Sequence, residues 1–283
     1  KLNTPDSLIG ITDSAINLNF SKIEIDYKAF SELNLIGDET ASRIEIKEFT
    51  GLVKLGLDGG GGLDEIKFST GESLVKITDS SLAPGTLNPI AHKGFEFLSV
   101  LAVTDVANTF DGSKVTTLKL TLDGGSKDDV LLGGSLNDLL TGGTGNNKIS
   151  GGGGMDTLAE AVDGDFVAST NTLTGVGLDA FSSIEALKLT GGVGDNHFNT
   201  EPFKGQVTLD GGAGNDLLIA GANDDVLIGG LGNDSLVANQ GNDTLLAGAG
   251  DDTLNGGPGT DFGDGGPGVD TGKSIENALN IER

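Results

Sequence analysis

Seven aspartates recur every nine residues towards the C-terminal end of the chain, and each follows a glycine-rich stretch. They are Asp216, Asp225, Asp234, Asp243, Asp252, Asp261 and Asp270. The segment that holds them, residues 211–273, reads in frame as Gly-Gly-x-Gly-x-Asp-x-hydrophobic-x. A disordered Gly/Asp-rich linker has no reason to keep a hydrophobic residue two positions after most of these aspartates, so the pattern predicts a folded repeat.

The nine-residue unit predicts a turn followed by a short strand. Glycine at positions one, two and four lets the backbone turn with positive φ, and the aspartate at position six places a carboxylate on the turn. The residue two positions later points inward; in five units it is leucine, namely Leu218, Leu227, Leu236, Leu245 and Leu254. Two units make one coil of 18 residues, and successive coils lie about 4.8 Å apart. We therefore expect an all-β protein, a parallel β-roll or β-solenoid.

Such a coil needs a cation. Burying one leucine per unit contributes roughly 1.5–3 kcal/mol, whereas ordering each of nine residues costs about 1–2 kcal/mol. Two stacked carboxylates about 5 Å apart repel each other by about 3 kcal/mol at an effective dielectric constant of about 20. A divalent cation reverses that repulsion and also binds glycine carbonyls. An irregular all-oxygen site suits calcium better than magnesium. The chain has no cysteine, and His92 and His197 lie outside these turns.

The pattern resembles the calcium-binding nonapeptide of the RTX family. The resemblance implies that calcium lies between turns 18 residues apart, bound by aspartates and backbone carbonyls. It implies five sites, which pair Asp216 with Asp234, Asp225 with Asp243, Asp234 with Asp252, Asp243 with Asp261, and Asp252 with Asp270. The glycines implied as carbonyl ligands are Gly212, Gly214, Gly221, Gly230, Gly232, Gly241, Gly248, Gly250, Gly257, Gly259, Gly266 and Gly268.

A second block, residues 124–159, contains four weaker units: GGSKDDVLL, GGSLNDLLT, GGTGNNKIS and GGGGMDTLA. Lys127 and Leu136 replace the glycine at position four, and Asn147 replaces the aspartate. Asp138 with Asp156 is the better candidate calcium pair. The pair of Asp129 with Asn147 is weaker, because an amide carries no charge and Lys127 is cationic. Isolated related turns occur at residues 59–67 and 191–199, where we expect Asp64 to form a turn rather than to bind metal.

A longer repeat of about 66 residues underlies the rest of the chain. Asp13 and Asp79 are 66 residues apart; Asp79 and Asp163 are 84 apart, which becomes 66 when the two units of residues 133–150 are left out. The segments 30–37, 95–102 and 181–192 are predicted to occupy the same place in each copy. We therefore divide the chain into a degenerate solenoid of two long copies (1–123), the short block (124–159), a third long copy (160–209), the main β-roll (210–272) and a C-terminal cap (273–283).

Charge and composition narrow the function. The formal net charge is −25, from 42 acidic and 17 basic residues, and seven calcium ions would reduce it to about −11. Nothing resembles a basic stripe for nucleic acid, and no stretch approaches the ~20 apolar residues of a membrane span. The chain opens at Lys1, so we expect a fragment or a processed chain. The RTX resemblance implies type I secretion and an extracellular or cell-surface location.

We predict a calcium-driven structural or adhesive β-solenoid, such as a surface-layer, stalk or filament subunit. Its expected partners are calcium, a second copy bound head to tail, or a cell-surface polysaccharide. The alternative is the non-catalytic C-terminal part of a secreted RTX enzyme. We expect no enzymatic activity, because the chain has two arginines, two histidines, one tyrosine and no tryptophan, and shows no Ser-His-Asp set or HExxH motif. The phenylalanines recur in register with the repeat, so we expect them in the core.

Overall fold

A computed structural model describes residues 22–23, 32–36, 43–46, 54–58, 63–70, 73–85 and 90–281. These residues group into two compact units. The first unit contains the described residues within 1–142 and 148–156, and the second contains those within 143–147 and 157–281. Within the described ranges the chain forms strands, turns and bends, and it has no helix that could span a membrane.

The first unit contains fourteen of the strands. They are β1 (Lys22–Ile23), β2 (Glu32–Ile36), β3 (Arg43–Ile46), β4 (Lys54–Asp58), β5 (Glu65–Thr70), β6 (Leu74–Thr78), β7 (Ser81–Pro84), β8 (Ile90–Lys93), β9 (Phe97–Ala102), β10 (Thr109–Asp111), β11 (Lys119–Asp123), β12 (Val130–Leu132), β13 (Leu139–Thr141) and β14 (Lys148–Ser150). One sheet runs in the order β1-β3-β5-β9-β11-β13, with every pair parallel. The other runs β2-β4-β8-β7-β6-β10-β12-β14.

The second unit contains the remaining fifteen strands. They are β15 (Thr157–Ala161), β16 (Phe166–Ala168), β17 (Thr172–Thr174), β18 (Leu178–Ser182), β19 (Ala186–Thr190), β20 (His197–Asn199), β21 (Gln206–Ala213), β22 (Leu217–Ile219), β23 (Val226–Leu231), β24 (Ser235–Val237), β25 (Thr244–Ala249), β26 (Thr253–Asn255), β27 (Phe262–Asp264), β28 (Thr271–Lys273) and β29 (Asn277–Leu279). One sheet is parallel throughout and runs in the order β15-β19-β21-β23-β25-β27-β29. The other runs β18-β17-β16-β20-β22-β24-β26-β28. From β19 onward, successive strands of the chain belong to the two sheets in turn.

The parallel register stacks identical positions of successive coils. Leu218 pairs with Leu236, which pairs with Leu254 in the next coil, and Leu227 pairs with Leu245 in the opposite sheet. All five leucines are fully buried. Each therefore contributes roughly 1.5–3 kcal/mol of hydrophobic stabilisation. The parallel β-roll predicted from the nine-residue pattern is confirmed.

Two antiparallel excursions interrupt the parallel coils, and neither was predicted. In the first unit, β6, β7 and β8 form a meander. The carboxylate of Asp79, at its tip, accepts hydrogen bonds of 2.8 Å from the backbone amides of Thr116 and Thr117. In the second unit, β16, β17 and β18 form a similar meander. Their short alternating strands have the same pattern as coil strands, so the pattern does not reveal strand direction.

One part of the predicted long repeat is wrong. Residues 30–37 and 95–102 were expected to occupy the same place, yet β2 pairs with β4 in one sheet of the first unit and β9 pairs with β5 and β11 in the other. Strands of both sheets alternate in the same way, so sequence similarity between two strands does not decide which sheet each joins.

Four of the six phenylalanines predicted for the core are described by the structure, and all four lie there. Phe95, Phe181, Phe198 and Phe203 are all at most 5% exposed. Phe166 and Phe198 pack edge to face at a centroid distance of 5.0 Å, and Phe181 packs against Phe203 in the same way. The predicted core residues Phe20 and Phe30 lie outside the described residues.

Candidate metal centre

The aspartates at position six line two columns of turns in the second unit. One column holds Asp216, Asp234, Asp252 and Asp270, and the other holds Asp225, Asp243 and Asp261. All seven side chains are at most 2% exposed. The short strand after each turn sends its middle residue inward, and this fixes the aspartate two positions earlier on the inner side of the turn.

One carboxylate oxygen of each aspartate belongs to a ladder between coils. Oδ1 of Asp234 accepts a hydrogen bond from the backbone N–H of Asp216 at 2.8 Å, and Oδ1 of Asp252 accepts one from Asp234 at 2.7 Å. In the other column, Oδ1 of Asp243 accepts from Asp225 at 2.8 Å. Each donor and acceptor are 18 residues apart. The structure therefore brings together the aspartates of all five predicted pairs.

The second carboxylate oxygen has no partner. Oδ2 is buried and makes no hydrogen bond in any of Asp216, Asp225, Asp234, Asp243, Asp252, Asp261 and Asp270. No lysine or arginine among the described residues pairs with these seven side chains. Buried polar atoms are almost always satisfied, so a repeated row of unsatisfied carboxylate oxygens indicates a missing cationic partner.

The pKa values show the same lack of compensation. Burial, with a smaller contribution from the nearby charge of Asp243, raises the pKa of Asp225 to about 7. Burial likewise raises the pKa values of Asp234 and Asp243 to about 6, with like charges of neighbouring aspartates adding to the effect. The pKa values of Asp216, Asp252 and Asp261 are raised by the same cause. Desolvation disfavours the charged carboxylates unless a cation offsets it.

The turn glycines allow the coils to approach closely. Ten of the twelve glycines predicted as ligands have positive φ: Gly212, Gly214, Gly230, Gly232, Gly241, Gly248, Gly250, Gly257, Gly266 and Gly268; Gly221 and Gly259 do not. A Cβ on Gly230 would contact the carbonyl oxygen of Gly212, and one on Gly248 would contact that of Gly230. Only glycine therefore leaves these carbonyl oxygens free to face the next turn.

A second ladder runs along the outside of the same turns. Oδ1 of Asn215 accepts from the backbone N–H of Asn233 at 2.9 Å, and Oδ1 of Asn233 accepts from Asp251 at 2.9 Å. Asp224 and Asn242 make the same contact at 2.8 Å in the other column. These side chains at position five are not buried like those at position six. Asparagine serves here as well as aspartate, so this ladder needs no charge.

These features fit calcium. Within the described part of the chain, no three acidic or histidine side chains converge on one point. A cation here must therefore take oxygens from the backbone as well as from two carboxylates. Such an all-oxygen, partly carbonyl site is what calcium accepts and magnesium, which keeps its waters, does not. The aspartate pairs and the predicted turn glycines would hold the ion, which would neutralise the buried carboxylates.

The shorter block repeats the inner ladder with fewer carboxylates. Oδ1 of Asp156 accepts from the backbone N–H of Asp138 at 2.8 Å, so the structure brings the predicted pair together in the first unit. Asp129, in the same unit, is also buried and accepts from the backbone N–H of Asn108 at 2.6 Å. Burial raises the pKa of Asp129 to about 6. Asp64 is buried, and its backbone N–H donates to the carboxylate of Glu96 at 2.8 Å.

Asp179 is a buried turn aspartate that the sequence reasoning missed. Its Oδ1 accepts from the backbone N–H and the side-chain amide of Asn147 at 3.0 and 2.8 Å, and its Oδ2 is buried without a hydrogen bond. Burial raises its pKa. The signal was present: residues 175–181 read Gly-Val-Gly-Leu-Asp-Ala-Phe, which fits positions two to eight of the nonapeptide.

The fold and the aspartate columns define a β-roll of the kind built from calcium-binding repeats. Comparison with known families agrees, since residues 123–158, 208–236 and 237–271 match the model of the RTX calcium-binding nonapeptide repeat. The chain thus contains RTX calcium-binding nonapeptide repeats. The matched segments cover all but the last residue of each predicted block and exclude Asp179. No curated protein matches the chain significantly.

Proposed function

We propose that the chain is an extracellular, calcium-dependent structural or adhesive β-solenoid whose main block, residues 210–272, folds when it binds calcium. The row of seven buried aspartates with unpaired Oδ2 atoms carries this proposal. Without a cation the roll must bury a series of carboxylates that repel one another. With calcium the same carboxylates become ligands, so binding energy becomes folding energy. Extracellular modules commonly bind calcium at about 10⁻⁴–10⁻³ M.

The positions of the aromatic and histidine side chains support a structural rather than a catalytic role. Among the described residues, several of the aromatic side chains that could form a sugar-binding platform, such as Phe166 and Phe198, are buried. His197 is exposed at the start of β20, and its backbone N–H donates to Asp165 at 2.9 Å. The proposed extracellular location follows from the RTX repeats together with a calcium supply that is adequate outside cells.

The first test is a calcium titration of the metal-free chain, followed by far-ultraviolet circular dichroism. We expect a cooperative gain of β signal with calcium and none with magnesium at the same concentration. Calorimetry on the same samples should count five or more ions per chain. As a matched pair, Asp243→Asn should weaken the transition, whereas Asp251→Asn, which alters the exposed ladder, should not. A metal-free chain that already shows the full β signal would remove calcium as the folding trigger.

Self-association is a further part of the proposal. The edge strand β28 is exposed along its length, and unpaired edges can recruit a second chain. Negative-stain electron microscopy at millimolar calcium should show elongated assemblies. If only short monomers are seen, the head-to-tail filament is excluded and the adhesive role, with a cell-surface polysaccharide as partner, must be tested separately by glycan binding.

A further inference from the structure

The segment after the last nonapeptide, residues 274–281, covers the end of the second unit; we name it the cap segment. Its strand β29 pairs in parallel with β27. The inward positions of the last two repeat units are Gly263 and Gly272, where a Cβ would contact Ile275 and Ile281. The two isoleucines, each half-buried, thus lie where leucine lies in earlier coils, although Gly272 itself stays exposed. The cap segment has no nonapeptide pattern, and the family match ends before it.

The cap segment also continues the inner ladder, through a glutamate. Oε2 of Glu276 accepts a hydrogen bond from the backbone N–H of Asp261 at 2.8 Å. Within the same column, Asp243 receives the equivalent bond from Asp225 at 2.8 Å, and Asp261 receives it from Asp243 at 2.9 Å. Glu276 therefore takes the ladder position that the aspartate of another repeat would take, although it is exposed and follows Asp261 by 15 residues rather than 18.

A backbone carbonyl of the cap segment also takes the place that a carbonyl of the next coil takes in a repeat turn. A Cβ on Gly229 would contact both Oδ2 of Asp234 and the carbonyl oxygen of Ala247, one coil further on. A Cβ on Gly256 would contact both Oδ2 of Asp261 and the carbonyl oxygen of Ser274. The two oxygens therefore face the same space in a repeat coil and at the cap. Ser274 reaches this place with φ of 52°, a conformation uncommon for a residue other than glycine.

We propose that Glu276 is a metal ligand, and that Asp261, Glu276 and the carbonyl of Ser274 form a sixth calcium site in the second unit, outside the five aspartate pairs. The unpartnered and fully buried Oδ2 of Asp261 faces this site. Three oxygens of hard character, two of them from carboxylates, are what calcium selects. This inference rests on the proposed calcium binding of the repeats.

The other column of turns ends differently. A Cβ on Gly265 would contact Oδ2 of Asp270 and lie close to the carbonyl oxygen of Asn280, so a carbonyl is supplied there as well. No carboxylate among the described residues accepts from the backbone N–H of Asp270, and the side chain of Asn280 donates instead to Asp264 at 2.8 Å. A single carboxylate does not make a pair, so we assign no additional ion to this end.

The site would couple docking of the cap segment to calcium. Without the ion, the carboxylates of Asp261 and Glu276 repel each other at the open end of the roll. With the ion, the same two groups hold the cap segment over Gly263 and Gly272. The cap segment would then close the core only after the last coil has bound calcium.

The test counts calcium ions by equilibrium dialysis at saturating calcium in the full chain and three variants. Glu276→Gln keeps the shape and an acceptor for the Asp261 amide, and should bind one ion fewer than the parent. Glu201→Gln removes one charge at an exposed site of the same unit and should bind the same number. Ile281→Ala weakens the packing of the cap segment but keeps Glu276, and should also bind the same number. Hydrogen exchange of residues 274–281 should slow on calcium addition in the parent chain.

Each outcome has a separate meaning. An unchanged ion count in Glu276→Gln overturns the sixth site while leaving the five pairs intact. Loss of one ion in both Glu276→Gln and Ile281→Ala also overturns it, because the ion would then depend on packing rather than on the carboxylate. A parent chain that binds no calcium rejects the proposed function itself, which is a different failure from either of these.

Discussion

The main block of residues 210–272 and the shorter block of residues 124–159 use the same turn but do not place the same groups at position six. In the main block every unit supplies an aspartate, and the five inner-ladder bonds inside the block each join two carboxylate-bearing turns. Asp216 and Asp225, at the start of the block, accept instead from the backbone N–H groups of Asn196 and Val207. In the shorter block Asp138 and Asp156 form such a pair, and Asn147 replaces one of the four aspartates. Asp138 also accepts from the backbone N–H of Leu120, and Asp129 from that of Asn108. The ladder thus forms whether or not the donor residue carries a charge.

Asn147 and Lys127 replace an aspartate and a glycine of the nine-residue pattern in the shorter block. Each makes contacts that need no calcium: hydrogen bonds for Asn147 and a salt bridge for Lys127. The side-chain amide of Asn147 donates to Oδ1 of Asp179 at 2.8 Å and to the carbonyl of Gly143 at 3.3 Å, acceptors of the kinds that calcium would bind. Lys127 adopts φ of 79° in place of glycine, and its ammonium pairs with Asp105 at 3.1 Å. Hydrogen bonding therefore builds the coil in both blocks, and under the proposed function we expect the pairing of carboxylates to set how much calcium each block binds.

The largest effect should come from pH acting on the metal-free main block. The folded pKa values of Asp225, Asp234 and Asp243, about 7, 6 and 6, exceed the ordinary value of 3.8. A raised folded pKa gives stability that is complete below about pH 4 and is lost as pH rises through 6 to 7. We expect the calcium-free chain to gain β signal in circular dichroism as pH falls from 8 to 5. With calcium the trend should reverse, because protons compete for the ligands.

Two control measurements distinguish protonation of these aspartates from other effects of acid. Repeating the acid titration at about 0.5 M salt screens the general repulsion of a chain with net charge −25. Hydrogen exchange then assigns the gain to peptides within the main block, residues 210–272. A gain confined to the shorter block would contradict the contrast between the two blocks, since that block has fewer paired carboxylates.

Removal of core leucines should test whether the two blocks share one kind of core. Leu236 in the main block and Leu140 in the shorter block are both fully buried. At saturating calcium, Leu236→Ala and Leu140→Ala should each lower the free energy of unfolding by about 2–5 kcal/mol, measured by urea denaturation. Leu231→Ala, at a residue 62% exposed, should change it by less than about 0.5 kcal/mol. A small effect of Leu140→Ala would mean that the shorter block is stabilised differently.

Sequence predicted what each nine-residue unit encodes within itself. The columns of aspartates and the leucine core follow from the spacing of Gly, Asp and Leu alone. Asp179 was also predictable, since Gly175–Phe181 fits the pattern, but it lies apart from the consecutive units. Glu276 was not, because no glycine turn precedes it and its place depends on the pairing of β29 with β27. The antiparallel meanders were not predicted for a similar reason. The direction of a strand is set by its contacts with other strands rather than by its own residues.

Single aspartate substitutions should have an intermediate effect that depends on the number of carboxylate partners. Asp234 lies between Asp216 and Asp252 in its column, whereas Asp138 has only Asp156 as a carboxylate partner. Asp234→Asn should therefore remove two ions and Asp138→Asn one, with a loss of affinity at each site of at least about 10-fold, the scale seen when even indirect partners of a metal are removed. Calorimetry counts the ions. Equal losses from the two variants would show that pairing does not control binding.

The smallest effect should come from substitution of Lys127. This substitution tests whether the charge of the lysine limits calcium binding in the shorter block. Lys127→Gly relieves a left-handed conformation that costs a residue other than glycine about 1–2 kcal/mol. Glycine also gives the unfolded chain more conformational entropy, which lowers the free energy of unfolding by about 0.5–1 kcal/mol. The substitution also removes an exposed ion pair worth about 0–1 kcal/mol. We expect its stability to remain within about 0.5 kcal/mol of the parent, with an unchanged ion count, because the ammonium is already paired with Asp105.

Lys127→Ala is the matched control, since it loses the same ion pair while keeping the left-handed backbone. It should be less stable than Lys127→Gly by about 1 kcal/mol in urea denaturation. If Lys127→Gly instead gains a calcium ion, the charge of the lysine, rather than the missing carboxylate at Asn147, is what lowers the calcium demand of the shorter block. The difference between the blocks would then be one of repulsion at a single turn, and restoring a carboxylate with Asn147→Asp would not add a further ion.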